Sequence, residues 1–124
     1  MLTWEVLRSR VNEDPEFRLH SRQWTAFVRL GMGSSVFRMR LVDGCIDAVE
    51  PWRGFFASNL SIEAPQAEWE ALLAPIPRPF YQDLYPASIH HGFNVTGDIE
   101  SYCAYYPALR RLVELMRETY DAEV

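Results

Sequence analysis

The stretch FRMRLVDGCIDAVEPW, residues 37–52, decides the fold that the sequence predicts. Apolar side chains alternate with arginine from Phe37 to Leu41, which is the period-two pattern of a strand with one covered face. Asp43-Gly44 follows directly and is a strong signal for a tight hairpin turn. Cys45 to Trp52 has the pattern of the returning strand, so the stretch predicts an antiparallel hairpin.

Three more segments have strand character on either side of this hairpin. Trp24 to Leu30 alternates in the same way, and the turn-rich segment Gly31–Ser35 joins it to the hairpin. Asn59–Glu63 and Gly92–Thr96 are short runs between turn residues. We therefore predict an α+β fold with a five-stranded, mainly antiparallel sheet and helices packed on one face.

Helix start signals and apolar stripes at helical spacing mark the remaining segments. Asp14-Pro15 places a capping side chain before a proline at the first helical position. Pro86 is predicted to end or kink the aromatic-rich segment Phe80–Ser88. Other helices are predicted after Thr3, at Ala64–Leu73, after Asp98 and at Pro107–Tyr120. Four charged side chains of the last helix are predicted to point away from its apolar face: Arg110, Arg111, Arg117 and Glu118.

The composition is that of one globular domain spanning residues 1–124, with 48% hydrophobic and 14% aromatic residues. All twelve basic residues are arginine, which excludes a lysine Schiff base and a phosphate loop with its lysine. The net charge of −5 argues against a nucleic-acid partner and against attraction to an anionic membrane surface.

The expected location is cytoplasmic. No apolar run approaches the ~18 residues that a membrane span needs, and the first residues do not have the pattern of a signal peptide. Cys45 and Cys103 have no metal-ligand spacing and are expected to be reduced.

The sequence contains few candidates for reaction chemistry. His90 and His91 are adjacent, so their side chains point in different directions and are poorly placed to chelate one metal ion. Asp98 and Glu100 lie at a predicted helix start, where the helix dipole stabilises negative charge. We therefore expect no catalytic residue, no metal and no cofactor.

Aromatic residues between Trp52 and Tyr106 are the best functional lead. The loop Trp52–Phe56 contains three aromatic rings. A cluster of exposed rings indicates a binding surface. On the predicted polar face of the sheet, Arg29, Arg38 and Arg40 are expected to pair with acids such as Asp47 and Glu50.

The order of these elements resembles the sterol carrier protein 2 (SCP2)-like family of lipid-binding domains. The matching motifs are the strand that ends in Val42-Asp43-Gly44, the helix APQAEWEALL at residues 64–73 and FNVTGD at residues 93–98. The resemblance covers about residues 20–115. It implies an apolar cavity between sheet and helices that takes a fatty acyl chain, a sterol or a similar lipid.

The resemblance and the aromatic residues together nominate a set of ligand-binding side chains. They are Phe37, Met39, Leu41, Trp69, Leu72, Leu73, Phe80, Tyr85, Phe93, Val95, Tyr102 and Tyr106. None of the positions that match the family is a catalytic residue there.

The favoured function is non-enzymatic binding of a lipid or other apolar ligand. The alternative is an isomerase or cyclase of the nuclear transport factor 2-like type, with His90, His91 or Asp83 as base and a tyrosine as proton donor. Topology favours the first, because three predicted strands come early, whereas the alternative fold begins with its long helices. A third hypothesis is a homodimer that pairs through the Trp52–Phe56 loop or the last helix.

Overall fold

The computed structural model describes the backbone of residues 2–123 and the side chains of residues 2–120. The strands of the sheet are β1 (Ala26–Met32), β2 (Ser35–Val42), β3 (Cys45–Pro51), β4 (Leu60–Ala64) and β5 (Asn94–Gly97). The helices are α1 (Trp4–Glu13), α2 (Pro15–His20), α3 (Gln66–Leu72), α4 (Leu84–His90), α5 (Ile99–Ala104) and α6 (Tyr106–Glu123). The predicted span of 1–124 includes Met1 and Val124, which lie outside the described residues.

The five strands form one mixed sheet in the order β3-β2-β1-β4-β5. β1 pairs in parallel with β4, from Val28 opposite Leu60 to Met32 opposite Ala64. The other three pairings are antiparallel. The predicted α+β fold with a mainly antiparallel five-stranded sheet is confirmed.

The Asp43-Gly44 turn is confirmed, with φ of 48° and 81° that place both residues in the left-handed region. A Cβ at Gly44 would lie 2.6 Å from the carbonyl oxygen of Ser21, so only glycine fits this position. The first hairpin is tighter than predicted, because Gly31 and Met32 still pair with β2. Its turn is Gly33-Ser34 and not the whole segment Gly31–Ser35.

One face of the sheet is buried against the helices. Along β1, Val28 and Leu30 are at most 2% exposed, and Met39 and Leu41 of β2 are at most 1% exposed. They belong to a continuous apolar core with side chains from α1, α2, α3 and α6, such as Val11, Phe17, Trp69 and Leu109. The alternation in the sequence therefore identifies the covered face correctly.

Ion pairs cover the opposite face of the sheet. Arg38 pairs with Glu50 at 2.8 Å, and Arg40 pairs with Asp47 at 3.4 Å, as the sequence predicts. Arg29 pairs with Glu63 of β4 at 2.9 Å, a partner that only the parallel pairing brings close.

The prediction that Pro86 ends or kinks a helix is wrong. Asp83 caps α4 by accepting a hydrogen bond from the Leu84 N–H at 2.8 Å, so Pro86 lies in the first turn. A backbone N–H in the first turn has no intrahelical partner, and proline there removes no hydrogen bond.

The prediction that Arg111 and Arg117 point away from the core is also wrong. Arg111 reaches Asp14 at 2.9 Å, and its side chain is 22% exposed. The Arg117 guanidinium donates to the carbonyl oxygens of Leu72 at 2.8 Å and Tyr81 at 3.1 Å. Both side chains bridge α6 to other elements because their long stems reach past the apolar stripe.

Candidate functional site

A pocket of about 420 Å³ opens at one end of the sheet, beside the turn between β1 and β2. We call it the sheet-end pocket. The start of α1, the helix α3 and the end of α6 surround it. Its lining residues are Leu2, Trp4, Met32, Ser35, Phe37, Gln66, Trp69, Glu70, Leu73 and Tyr120.

Aromatic contacts build the pocket walls. The ring of Trp4 lies 4.9 Å from the ring of Phe37, centroid to centroid, which joins the start of α1 to β2. The indole N–H of Trp69 donates to the carbonyl oxygen of Gly31 at 2.8 Å, which fixes α3 against β1. Phe93 meets the other side of Trp69 edge-on at 5.0 Å. Because the Trp69 N–H is satisfied, the indole presents only apolar surface to the pocket.

The polar side chains of the pocket lie at its rim. Ser35, Gln66 and Glu70 are exposed, and Tyr120 is half-buried. Glu70 forms no ion pair within the part of the chain that the structure describes. The pocket thus has an apolar interior and a rim that offers hydrogen-bonding groups.

The structure brings three of the nominated residues together in this pocket: Phe37, Trp69 and Leu73. Met39, Leu41 and Leu72 are at most 1% exposed and lie in the core. Phe93 lies behind Trp69, and Val95 is a half-buried residue of β5.

The remaining four nominated residues lie away from the pocket lining. Phe80, which precedes α4, is 46% exposed, and Tyr85, in the first turn of α4, is 54% exposed. Tyr102 and Tyr106 pack edge-on against each other at 5.4 Å, next to that helix.

Sequence reasoning did not nominate Leu2, Trp4, Met32 or Tyr120 as site residues. Trp4 and Tyr120 each lie on the apolar face of a predicted helix, and this position was the only sequence feature that could have marked them as pocket residues. That signal does not separate a core position from a pocket wall, because both require an apolar face. Only the packing of α1 beside α6 shows that Trp4, at the start of α1, and Tyr120, near the end of α6, meet in one pocket.

A second aromatic cluster surrounds the start of α4. The Tyr106 hydroxyl accepts a hydrogen bond from the backbone N–H of Tyr85 at 2.7 Å. Burial raises the pKa of Tyr102 to about 12. Burial and a hydrogen bond with Asp83 raise the pKa of Tyr106 as well. Both phenols therefore stay protonated at neutral pH, and Tyr106 fixes the start of α4 through its hydrogen bond with Tyr85.

The two histidines are engaged in ring stacking. His90 stacks on Phe80 at 3.8 Å, and His91 stacks on Tyr81 at 3.6 Å. A ring nitrogen of His91 lies 3.1 Å from the carbonyl oxygen of Pro79. Neither histidine, nor the capping residue Asp83, lines the sheet-end pocket.

The described residues contain no group of three His, Cys, Asp or Glu side chains placed to hold a metal ion. A separate search of the same residues finds no helix that is both long enough and apolar enough to cross a membrane.

Solved structures share this fold. Sterol carrier protein 2 matches with a TM-score of 0.76 and 19% identity, over 96% of this chain and 97% of that chain. A conserved hypothetical protein of Thermus thermophilus, described as a possible sterol carrier protein, matches with a TM-score of 0.71 and 20% identity, over 96% and 89%. A UbiJ-SCP2 ubiquinone synthesis protein matches with a TM-score of 0.58 and 16% identity, over 89% and 86%. No protein-family model and no curated protein matches the chain.

The chain therefore has the α+β fold of the sterol carrier protein 2 class. The resemblance predicted from the sequence is confirmed at the level of the fold. The alternative, a nuclear transport factor 2-like enzyme, is not favoured, because the sheet order and the closing helix follow the sterol carrier topology.

Proposed function

We propose that this protein binds a lipid or another apolar ligand in the sheet-end pocket, without catalysing a reaction. The observation that carries the proposal is the pocket itself, with six apolar side chains on its walls and polar groups only at its rim. A fold shared with sterol carrier protein 2 adds support, because that protein is named for carrying a lipid.

The size and the lining of the pocket suit this role. Pockets that take small molecules span roughly 300–1,000 Å³ and are lined mostly by apolar and aromatic side chains. The volume of about 420 Å³ falls in the lower part of that range. Burial of an acyl chain stabilises a complex by ~0.8 kcal/mol per CH₂ group before the cost of association is subtracted.

The chemistry of the lining also favours binding over catalysis. Among the lining residues, Glu70 is the only carboxylate, and no histidine or cysteine is present. General acid–base catalysis needs a donor and an acceptor that converge on one reacting atom. The lining offers the exposed Glu70 no histidine, cysteine or second carboxylate as a partner.

Within this proposal, Phe37, Trp69 and Leu73 contact the ligand directly. Four other nominated side chains act behind this layer: Met39, Leu41 and Leu72 support the floor of the pocket, and Phe93 supports Trp69. A ligand that reaches deeper than the pocket floor would have to displace core side chains, which are close-packed.

A blocking substitution at the rim tests the proposal. Ser35 lines the pocket at the start of β2 and is exposed, so Ser35→Trp fills the opening and keeps a residue suited to a strand. Ser34→Trp is the matched control, because Ser34 is an exposed neighbour in the turn and does not line the pocket. Binding of a fluorescent fatty-acyl probe is measured for both variants and the wild type.

We expect Ser35→Trp to weaken probe binding by about tenfold or more, which corresponds to about 1.4 kcal/mol, and Ser34→Trp to leave it nearly unchanged. Native mass spectrometry and solvent extraction of freshly purified protein then identify any ligand that copurifies. A wild-type protein that carries no lipid and binds no apolar probe would contradict the proposal.

A further inference from the structure

The sheet-end pocket has a charge pattern that restricts the polar end of its ligand. No arginine or histidine is among its lining residues, and the sequence contains no lysine. The one charged group in the lining is the carboxylate of Glu70, which forms no ion pair among the described residues. Among the described residues that line the pocket, no cation compensates this negative charge.

Two arginines on the helices that border the pocket are engaged elsewhere. Arg117 of α6 donates from its guanidinium to the carbonyl oxygens of Leu72, the last residue of α3, and of Tyr81. Arg10 of α1 pairs with Glu118 of α6 at 2.5 Å. Neither side chain lines the pocket, so neither is placed to receive an anionic head-group.

Three neutral groups complete the rim: the Ser35 hydroxyl, the Gln66 amide and the Tyr120 hydroxyl. Hydroxyl and amide groups both donate and accept hydrogen bonds, and a carboxylate only accepts. A ligand hydroxyl can therefore donate to Glu70 and accept from its neighbours. A ligand carboxylate or phosphate would meet a like charge, and no described lining residue supplies a positive charge to offset it.

We infer that the sheet-end pocket selects an amphiphile with an uncharged, hydroxyl-type polar end, and that Glu70 excludes anionic head-groups. This inference rests on the proposed function. It assigns the ligand to the class of alcohols and separates it from free fatty acids and phosphate esters with the same apolar part.

Two probes with one chain length test the inference. Binding of 1-dodecanol and of dodecanoate is measured by titration calorimetry at pH 8, where the acid is fully ionised. We expect the wild type to bind 1-dodecanol at least about tenfold more tightly than dodecanoate, the effect of about 1.4 kcal/mol of repulsion and desolvation.

Glu70→Gln isolates the role of the charge. This substitution is expected to tighten dodecanoate binding by about threefold to tenfold and not to tighten 1-dodecanol binding, because a weaker amide acceptor replaces the carboxylate that receives the ligand hydroxyl. Glu13→Gln removes the same charge from an exposed position at the far end of α1 and should change neither affinity. Thermal melting confirms that both variants remain folded.

The outcomes separate the two proposals. If the wild type binds neither probe, the proposed function and this inference both fail. If it binds dodecanoate as tightly as 1-dodecanol, or if Glu70→Gln leaves dodecanoate affinity unchanged, only the head-group inference is overturned.

Discussion

At the scale of single residues, Asp14 shows how one side chain joins distant parts of the chain. Its carboxylate accepts a hydrogen bond from the Phe17 N–H at 2.8 Å and so caps α2. The same carboxylate receives two hydrogen bonds from Arg111 of α6, at 2.9 and 3.0 Å. The cap was predictable from the Asp-Pro pair, because its partner is three residues away. The bond to Arg111 was not, because 97 residues separate the two.

Asp14→Asn is expected to destabilise the protein in a pH-dependent way. Asparagine keeps the cap, so the substitution removes mainly the charged pair, with a loss of about 1.5–3 kcal/mol in the free energy of unfolding at pH 7. Hydrogen bonds from Arg111 lower the pKa of Asp14 below its ordinary value of 3.8. The stabilisation is therefore complete above pH ~4 and is lost as the pH falls through the folded-state pKa.

Urea denaturation at pH 7 and at pH 3 measures this difference. The gap between wild type and Asp14→Asn should be largest at pH 7 and smaller at pH 3. An equal gap at both pH values would show that the charge of Asp14 does not contribute.

At the scale of elements, short-range signals place most boundaries within a few residues. The sequence predicted strands at Asn59–Glu63 and Gly92–Thr96, and the structure has them at Leu60–Ala64 and Asn94–Gly97. Turn residues, caps and alternation are read from neighbouring positions, which makes them visible without the fold. The exact pairing at strand ends depends on the partner strand, so these ends were less accurate.

Gly97, at the end of β5, is the glycine at which an added Cβ would approach a neighbouring atom most closely. It ends β5 with φ of +106°, and a Cβ there would lie 2.4 Å from the carbonyl oxygen of Asn59. Gly97→Ala should therefore lower the free energy of unfolding by about 2 kcal/mol or more, from backbone strain and from the clash with the residue before β4.

Gly54→Ala is the matched control. No atom lies within 4 Å of a Cβ built at Gly54, so this change should stay within about 0.5 kcal/mol. Thermal or urea unfolding of both variants gives the comparison. Equal stability of the two variants would show that the backbone at position 97 accommodates a Cβ without strain.

At the scale of the whole molecule, the segment between β3 and β4 crosses the outer face of the sheet. Arg38 lies between the rings of Phe27 and Phe56, at 4.1 and 3.7 Å from their centroids. These cation–π contacts hold the crossing segment against the sheet. The crossing carries the chain past β2 and allows β4 to pair in parallel with β1.

Self-pairing of the protein stays a prediction, and the structure narrows where it could occur. The apolar face of α6 is buried within the chain, with Leu109, Leu112 and Met116 at most 3% exposed. In the Trp52–Phe56 loop, Phe55 is 81% exposed. Pairing is therefore expected to depend on Phe55.

Size-exclusion chromatography with light scattering tests this expectation at high protein concentration. A dimer mass for the wild type and a monomer mass for Phe55→Ser would support pairing through the loop. Ile76→Ser, at an 89% exposed position elsewhere, is the control and should leave the mass unchanged. A wild type that remains monomeric would refute the hypothesis.

The sequence by itself determined the five strands and most of the helices and turns, and through their order the sterol carrier fold. These features depend on side-chain periodicity and on backbone preferences over a few neighbouring residues. Only the tertiary structure decided where a pocket opens, because Trp4, Phe37 and Tyr120 come from distant segments that meet at one end of the sheet. It also decided that Arg117 donates to the carbonyl oxygen of Leu72 in α3, and that Glu70 is the one charged residue among the described residues of the lining. Such contacts depend on how the elements pack against one another, which a local pattern does not encode.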